Sequence, residues 1–182
     1  MILNIFGPSG SGKTTLIKEL IKTNKIKLFY ESLMNDEIPI NKRFLTISLS
    51  LIPLPSFRGS IKDFFDCYGL NLESLFTAND KLETLFLSIF DCKGKNEINS
   101  VYSRSLESLS AGEIRRLFIL KSLMTRANIL IIDEPFSNSD ALLFTTIFDA
   151  IKMSPRCIVL SHLPIMEKVD LDSGDLMLNI NL

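Results

Sequence analysis

Short, dense runs of Ile, Leu, Val and Phe punctuate the chain, with segments of helical periodicity between them. Residues 2–6 (ILNIF), 26–30 (IKLFY), 44–51 (FLTISLSL), 127–135 (ANILIIDEP), 156–161 (RCIVLS) and 175–180 (DLMLNI) read as strands. Leu16, Ile17, Leu20 and Ile21 recur at helical spacing and predict a helix over about 13–23. The turn-rich NDEIPINK separates the second and third runs.

From Phe57 to Leu109 the pattern is helical, with SIKDFFDCYG and then NDKLETLFLSIF, for which Asp80 is the expected N-cap. A further helix is expected over about 139–152, and a short one between the last two strands. Apolar strands alternating with helices predict an α/β fold with a mostly parallel sheet covered on both faces. Residues 1–56 and 110–182 would form that core, and 57–109 a helical subdomain inserted in it.

Composition adds limits rather than direction. The 182 residues suit one domain, and 46% are apolar, with a mean hydropathy of +0.25. Buried parallel strands account for most of that excess, and an exposed docking patch could account for part. The net charge of −1 offers no basic field, so direct nucleic-acid binding is not expected. Cys67, Cys92 and Cys157 lie far apart, without metal-ligand or redox spacing, and read as thiols of a reducing cytosol. The apolar start lacks a basic leader, and the longest apolar stretch, residues 44–57, is too short to span a bilayer.

Chemistry enters at GPSGSGKTT. Gly7, Pro8, Ser9, Gly10, Ser11, Gly12, Lys13 and Thr14 fit GxxxxGK[ST] between an expected strand and an expected helix. Such a loop turns backbone N–H groups, with that of Thr15 and the helix N-terminus, towards phosphate oxygens. Lys13 would reach the β- and γ-phosphates, and the Thr14 hydroxyl would bind Mg²⁺. The loop alone would equally suit a nucleotide kinase.

Three further elements narrow the choice. ILIIDEP places Asp133 and Glu134 at the C-terminal end of an apolar strand, one to hold Mg²⁺ and the other to activate water. LSAGEIRR offers Ser110 and Gly112 ahead of a helix, a second anion site or simply a capped helix start. His162, the one histidine, follows the strand CIVLS, as a structural residue or at the same sheet edge as the acids.

In this order and spacing the motifs resemble the ATP-binding cassette (ABC) ATPases, transporter-type nucleotide-binding subunits in minimal form. Residues 7–14 resemble Walker A, 109–113 the signature motif and 129–134 Walker B. Glu134 corresponds to the catalytic glutamate, 137–140 to the D-loop and His162 to the switch histidine. The resemblance implies a RecA-like P-loop core and a head-to-tail dimer, homomeric or heteromeric, with two ATP and Mg²⁺. Each ATP would meet Ser110 and Gly112 of the other subunit. It further implies a cytoplasmic ATPase, peripheral on the membrane through a separately encoded transmembrane partner. The alternative is a soluble, non-transport ABC-type ATPase acting on a protein or nucleic acid.

Two departures stand out. The chain has no glutamine, whereas transporter-type cassettes carry one leading into the helical subdomain; Ser50 or Ile52 falls there. The phosphate loop also comes so early that the antiparallel layer bearing an adenine-stacking aromatic is expected to be reduced or missing.

Overall fold

In the computed structural model, residues 1–35, 47–49, 58–71, 80–125, 127–165 and 175–179 are described. They fall into two compact units. One lies within Met1–Leu49, Ala127–Pro135 and Ser154–Leu182, the other within Ser50–Arg126 and Phe136–Met153.

The first unit is built on five strands: β1 (Ile2–Phe6), β2 (Ile47–Leu49), β3 (Ile129–Asp133), β4 (Cys157–Ser161) and β5 (Leu176–Asn179). Their order is β2-β3-β4-β1-β5, and every pairing is parallel. β1, β3 and β4 are buried almost throughout, as expected of parallel strands without a solvent face. β4 runs between β1 and β3, pairing Phe6 with Ser161 on one side and Asp133 with Leu160 on the other. The C-terminal ends of these three strands therefore share one sheet edge.

Two helices pack on the sheet, α1 (Lys13–Lys22) and α2 (Ile26–Met34). Ile17, Ile26, Tyr30 and Met34 join Leu3, Ile5, Ile129, Ile131, Ile158 and Leu160 in one apolar core. The strand expected at 26–30 is thus a helix. Its five residues are β-branched and aromatic enough to read as strand. With the next four, Ile26, Tyr30 and Met34 fall at i, i+4 and i+8, the stripe a helix buries. Asn24 takes the left-handed conformation (φ 56°) in the short link between α1 and α2, and Asn35 (φ 48°) ends α2 in the same way.

The second unit is helical: α3 (Ile61–Cys67), α4 (Asp80–Ile89), α5 (Ile98–Tyr102), α6 (Ala111–Met124) and α7 (Ala141–Ile151). Ser60 and Asp63 form a reciprocal capping box that starts α3. Asp80 is the first residue of α4 rather than its cap, placing an acid in the first turn beside the positive end of the helix dipole. Asp140 caps α7 by accepting from the Leu143 N–H at 2.8 Å. α6 buries Ile114, Leu117, Phe118, Ile119 and Leu120, an apolar surface too broad for one stripe, as befits a helix packed on several sides. Phe64 is the hub of an aromatic cluster, its ring 5.2–5.4 Å from Phe65, Tyr68 and Phe118 in edge-on contacts.

Among the described residues no helix is long and apolar enough to cross a membrane. The three cysteines are free thiols, with Cys67 exposed and Cys157 buried. The glutamine-equivalent positions Ser50 and Ile52, and most of the short helix expected before β5, lie outside the described residues.

Candidate nucleotide site

The loop after β1 is shaped by its glycines. Gly10 (φ 82°) and Gly12 (φ 84°) both adopt the left-handed region, which side chains resist, and Gly12 turns directly into α1. Lys13 is 6% exposed, and its ammonium donates to the carbonyls of Gly7 at 2.7 Å and Pro8 at 3.0 Å. The lysine is thus held inside the loop that it would share with phosphate.

Thr14, on the first turn of α1, donates its hydroxyl to Asp133 Oδ2 at 3.0 Å. That bond joins the loop to the end of β3. Next to it, Glu134 takes the left-handed conformation (φ 51°), unusual for a glutamate and a mark of backbone held against its preference. Its N–H continues the ladder by donating to Leu160 O at 2.9 Å, and the Gly7 N–H donates to Ser161 O at 3.2 Å. Glu134 Oε1 then stands 3.5 Å from His162 Nε2.

Burial pushes the Glu134 carboxyl above its ordinary range, and the Asp133 carboxylate adds to this. His162, Lys13 and the His162 backbone pull the other way without reversing it. A carboxylate raised in this manner is a stronger base than one in open water.

These groups line one cavity of about 290 Å³, bounded by residues 9–15, Asp133, Glu134 and His162. That is about the low end of the roughly 300–1,000 Å³ that small-molecule pockets span. Thr14 Oγ1 and Asp133 Oδ2 are adjacent hard oxygen donors. The pair fits a Mg²⁺ ion that keeps waters and phosphate oxygens as its other ligands.

Ser110 and Gly112 belong to the helical unit. Ser110 caps α6: its hydroxyl accepts from the Glu113 N–H at 3.2 Å, while Glu113 Oε2 accepts from the Ser110 N–H at 2.8 Å. The plain N-cap reading of this segment therefore holds, and an anion site at the same helix start remains compatible with it. Arg104 pairs with the other Glu113 oxygen at 3.0 Å and lies over the Phe90 ring. Arg115 donates to the Ser137 hydroxyl, tying α6 to the 137–140 turn. These arginine contacts escape sequence reading, because nothing about an arginine announces its partner. In the sheet unit one more signal was legible in principle: Asn4, a lone amide inside an apolar run, is fully buried in β1.

A family model described as ABC transporter matches residues 1–137. The chain belongs to the ABC transporter family. It is 29% identical over 154 residues to the spermidine/putrescine import ATP-binding protein PotA of Mycoplasma mycoides subsp. mycoides SC, covering 82% of this chain and 42% of that protein. It is 28% identical over 155 residues to the Fe(3+) ions import ATP-binding protein FbpC of Fusobacterium nucleatum, covering 81% of this chain and 39% of that one. The chain thus spans less than half the length of these curated relatives. A solved putative ABC transporter ATP-binding protein from Pyrococcus furiosus shares the fold, with a TM-score of 0.60 at 22% identity over 98% of this chain and 84% of that one. With its parallel sheet and helical unit, the chain has the α/β fold class its sequence pattern predicts.

Proposed function

We propose that this chain is the ATP-hydrolysing subunit of an ABC transporter, driving a separately encoded transmembrane partner by ATP-dependent dimerisation. The observation that carries the proposal is the convergence of Lys13, Thr14, Asp133, Glu134 and His162 on one cavity at the sheet edge. A phosphate loop alone binds nucleotide; a loop facing a raised carboxylate and an imidazole can also hydrolyse it.

In this reading Lys13 exchanges its bonds to the Gly7 and Pro8 carbonyls for phosphate oxygens, which match its charge better. Thr14 and Asp133 would hold Mg²⁺, which supplies charge neutralisation on the phosphates when bound. Glu134 takes the proton from the attacking water. His162, in reach of Glu134, faces the γ-phosphate and fixes the orientation of that water. Ser110 and Gly112 serve the nucleotide of a second subunit, and the helical unit, which holds residues 57–109 together with α6 and α7, meets the membrane partner. The import ATP-binding proteins among the relatives support coupling to transport.

The absence of glutamine favours a second reading in one respect, since the missing residue is the one linking cassette to membrane domain. Under it the chain would be a soluble ATPase acting on another protein. Affinity purification from detergent-solubilised membranes separates the two: a co-purifying polytopic protein supports transport, and a wholly soluble complex refutes it. For the enzyme itself, Glu134→Gln should cut turnover by roughly 10²–10⁴-fold while leaving ATP binding intact. Parental turnover in that variant would remove Glu134 from the role of base.

A further inference from the structure

Asn4 sits in the middle of β1, paired in register with Val159 of β4, with none of its surface exposed. An amide there is an odd choice for a strand that is otherwise apolar, and burial tolerates it only with its hydrogen bonds made. They are made, and all three lead to one place. Nδ2 donates to Val159 O at 3.1 Å and to Ser161 Oγ at 2.9 Å, while Oδ1 accepts from the Ile165 N–H at 3.1 Å. Ser161 in turn donates its hydroxyl to Leu163 O at 2.6 Å.

The result is a closed polar network that grips the chain at 161, 163 and 165. Between those points lies His162, whose side chain is 52% exposed and so owes its position to the backbone on either side rather than to packing. The end of β4 is already anchored by its ladder bonds; the return of the chain after His162 is anchored by Asn4. Such linked bonds in a dry interior reinforce one another and favour a single arrangement.

We propose that Asn4 is a positioning residue for His162: through Ser161 and Ile165 it fixes the backbone around that residue and so sets the imidazole against Glu134. The inference rests on the reading of His162 given under Proposed function.

The test is a cycle of Asn4→Leu, His162→Ala and the double variant, with kcat and KM for Mg·ATP measured in each. Leucine keeps the branched shape of asparagine and removes all three bonds. The expected result is a roughly tenfold loss of kcat in N4L, with KM for ATP within about twofold, the scale on which lost orienting hydrogen bonds act. The double variant should be no slower than H162A. A spectroscopic arm is independent of turnover. With one histidine in the chain, the imidazole Cε1–H resonance reports on His162 alone, and it should shift or broaden in N4L.

An unchanged resonance overturns the proposal. So does a multiplicative loss in the double variant alongside a slow H162A, which leaves the reading of His162 standing. Parental turnover in H162A overturns that reading and this proposal together. Should N4L fail to fold, Ser161→Ala cuts the same network from its other side and runs through the same cycle with the same expectations.

Discussion

Thr14 and Asp133 lie 119 positions apart, yet the threonine hydroxyl meets the aspartate carboxylate at 3.0 Å. The contact exists because β1 and β3 flank β4 in a parallel sheet, so the residues that follow the two strands emerge at the same edge. Under the function proposed above, both oxygens would become donors to Mg²⁺. Thr14→Val keeps the shape and removes the oxygen. The Mg²⁺ concentration for half-maximal hydrolysis should rise at least about tenfold, the scale that loss of even an outer partner of a metal carries. Titrating activity with Mg²⁺ checks this, and an unchanged midpoint would take Thr14 out of the metal site.

Gly10 and Gly94 provide a paired test of backbone strain in which space plays no part. A Cβ added at either residue would meet nothing within 4 Å. Gly10 has φ 82°, in the left-handed region, whereas Gly94 has φ 174°, an extended conformation any residue adopts. Gly10→Ala should therefore destabilise the fold by about 1–2 kcal/mol, the cost of forcing an L-residue left-handed. Gly94→Ala should fall within about 0.5 kcal/mol of the parent. Thermal midpoints decide the matter, since about 1 kcal/mol moves Tm by roughly 2–4 °C in a chain of this size. Equal losses would mean that the phosphate loop is not held in the conformation described.

Sequence pattern carried far where local signals were strong. ILIIDEP and RCIVLS form the buried strands β3 and β4 because continuous apolar runs suit strands covered on both faces. The loop at 7–14 was legible from glycine spacing, whose reason is seen in the φ values of Gly10 and Gly12. IKLFY misled because five residues are too few to distinguish period 2 from period 3.6, and the deciding partner, Met34, lies further along. The hydrogen bonds of Asn4 were out of reach for a different cause. Ser161 and Ile165 become its neighbours only through sheet order, more than 150 positions later in the chain.

Glu113 gives the fold a dependence on acid. Its partial burial works to raise its pKa, but hydrogen bonds from Ser110 and the Arg104 guanidinium outweigh this and hold the carboxyl below its ordinary value. A depressed carboxyl contributes stability that is full above the unfolded value of about 4.3 and is lost as pH falls through the folded value. Glu113→Gln can still accept from the Ser110 N–H but carries no charge for Arg104. At pH 7 the variant should be less stable by about 0.5–1 kcal/mol, a size limited by the solvent access of the pair. The gap should close as pH falls through the lowered folded value, where the parent's carboxyl also becomes neutral. Urea midpoints at the two pH values measure it, and a gap that persists in acid would assign the stabilisation to something other than the charge.

Gly112 separates folding from function most sharply. It lies within the first turn of α6, where alanine is the better helix former, and its φ is not positive. An added Cβ would come within 3.2 Å of Arg116 Nη1, tight contact with the far end of a flexible side chain that can move aside by a few tenths of an ångström. Gly112→Ala should therefore leave stability unchanged or raise it by up to about 1 kcal/mol. If Ser110 and Gly112 serve the phosphate of a second subunit, the methyl group stands where an anion must approach the backbone. Hydrolysis and ATP-dependent dimerisation should then fall by roughly 10²-fold, the scale of losing one oriented anion donor. Thermal melts paired with turnover and sedimentation in ATP read both halves. A variant that melts at or above the parental temperature yet neither dimerises nor hydrolyses would assign Gly112 to the interface. One that hydrolyses at the parental rate would return LSAGE to the role of a helix cap alone.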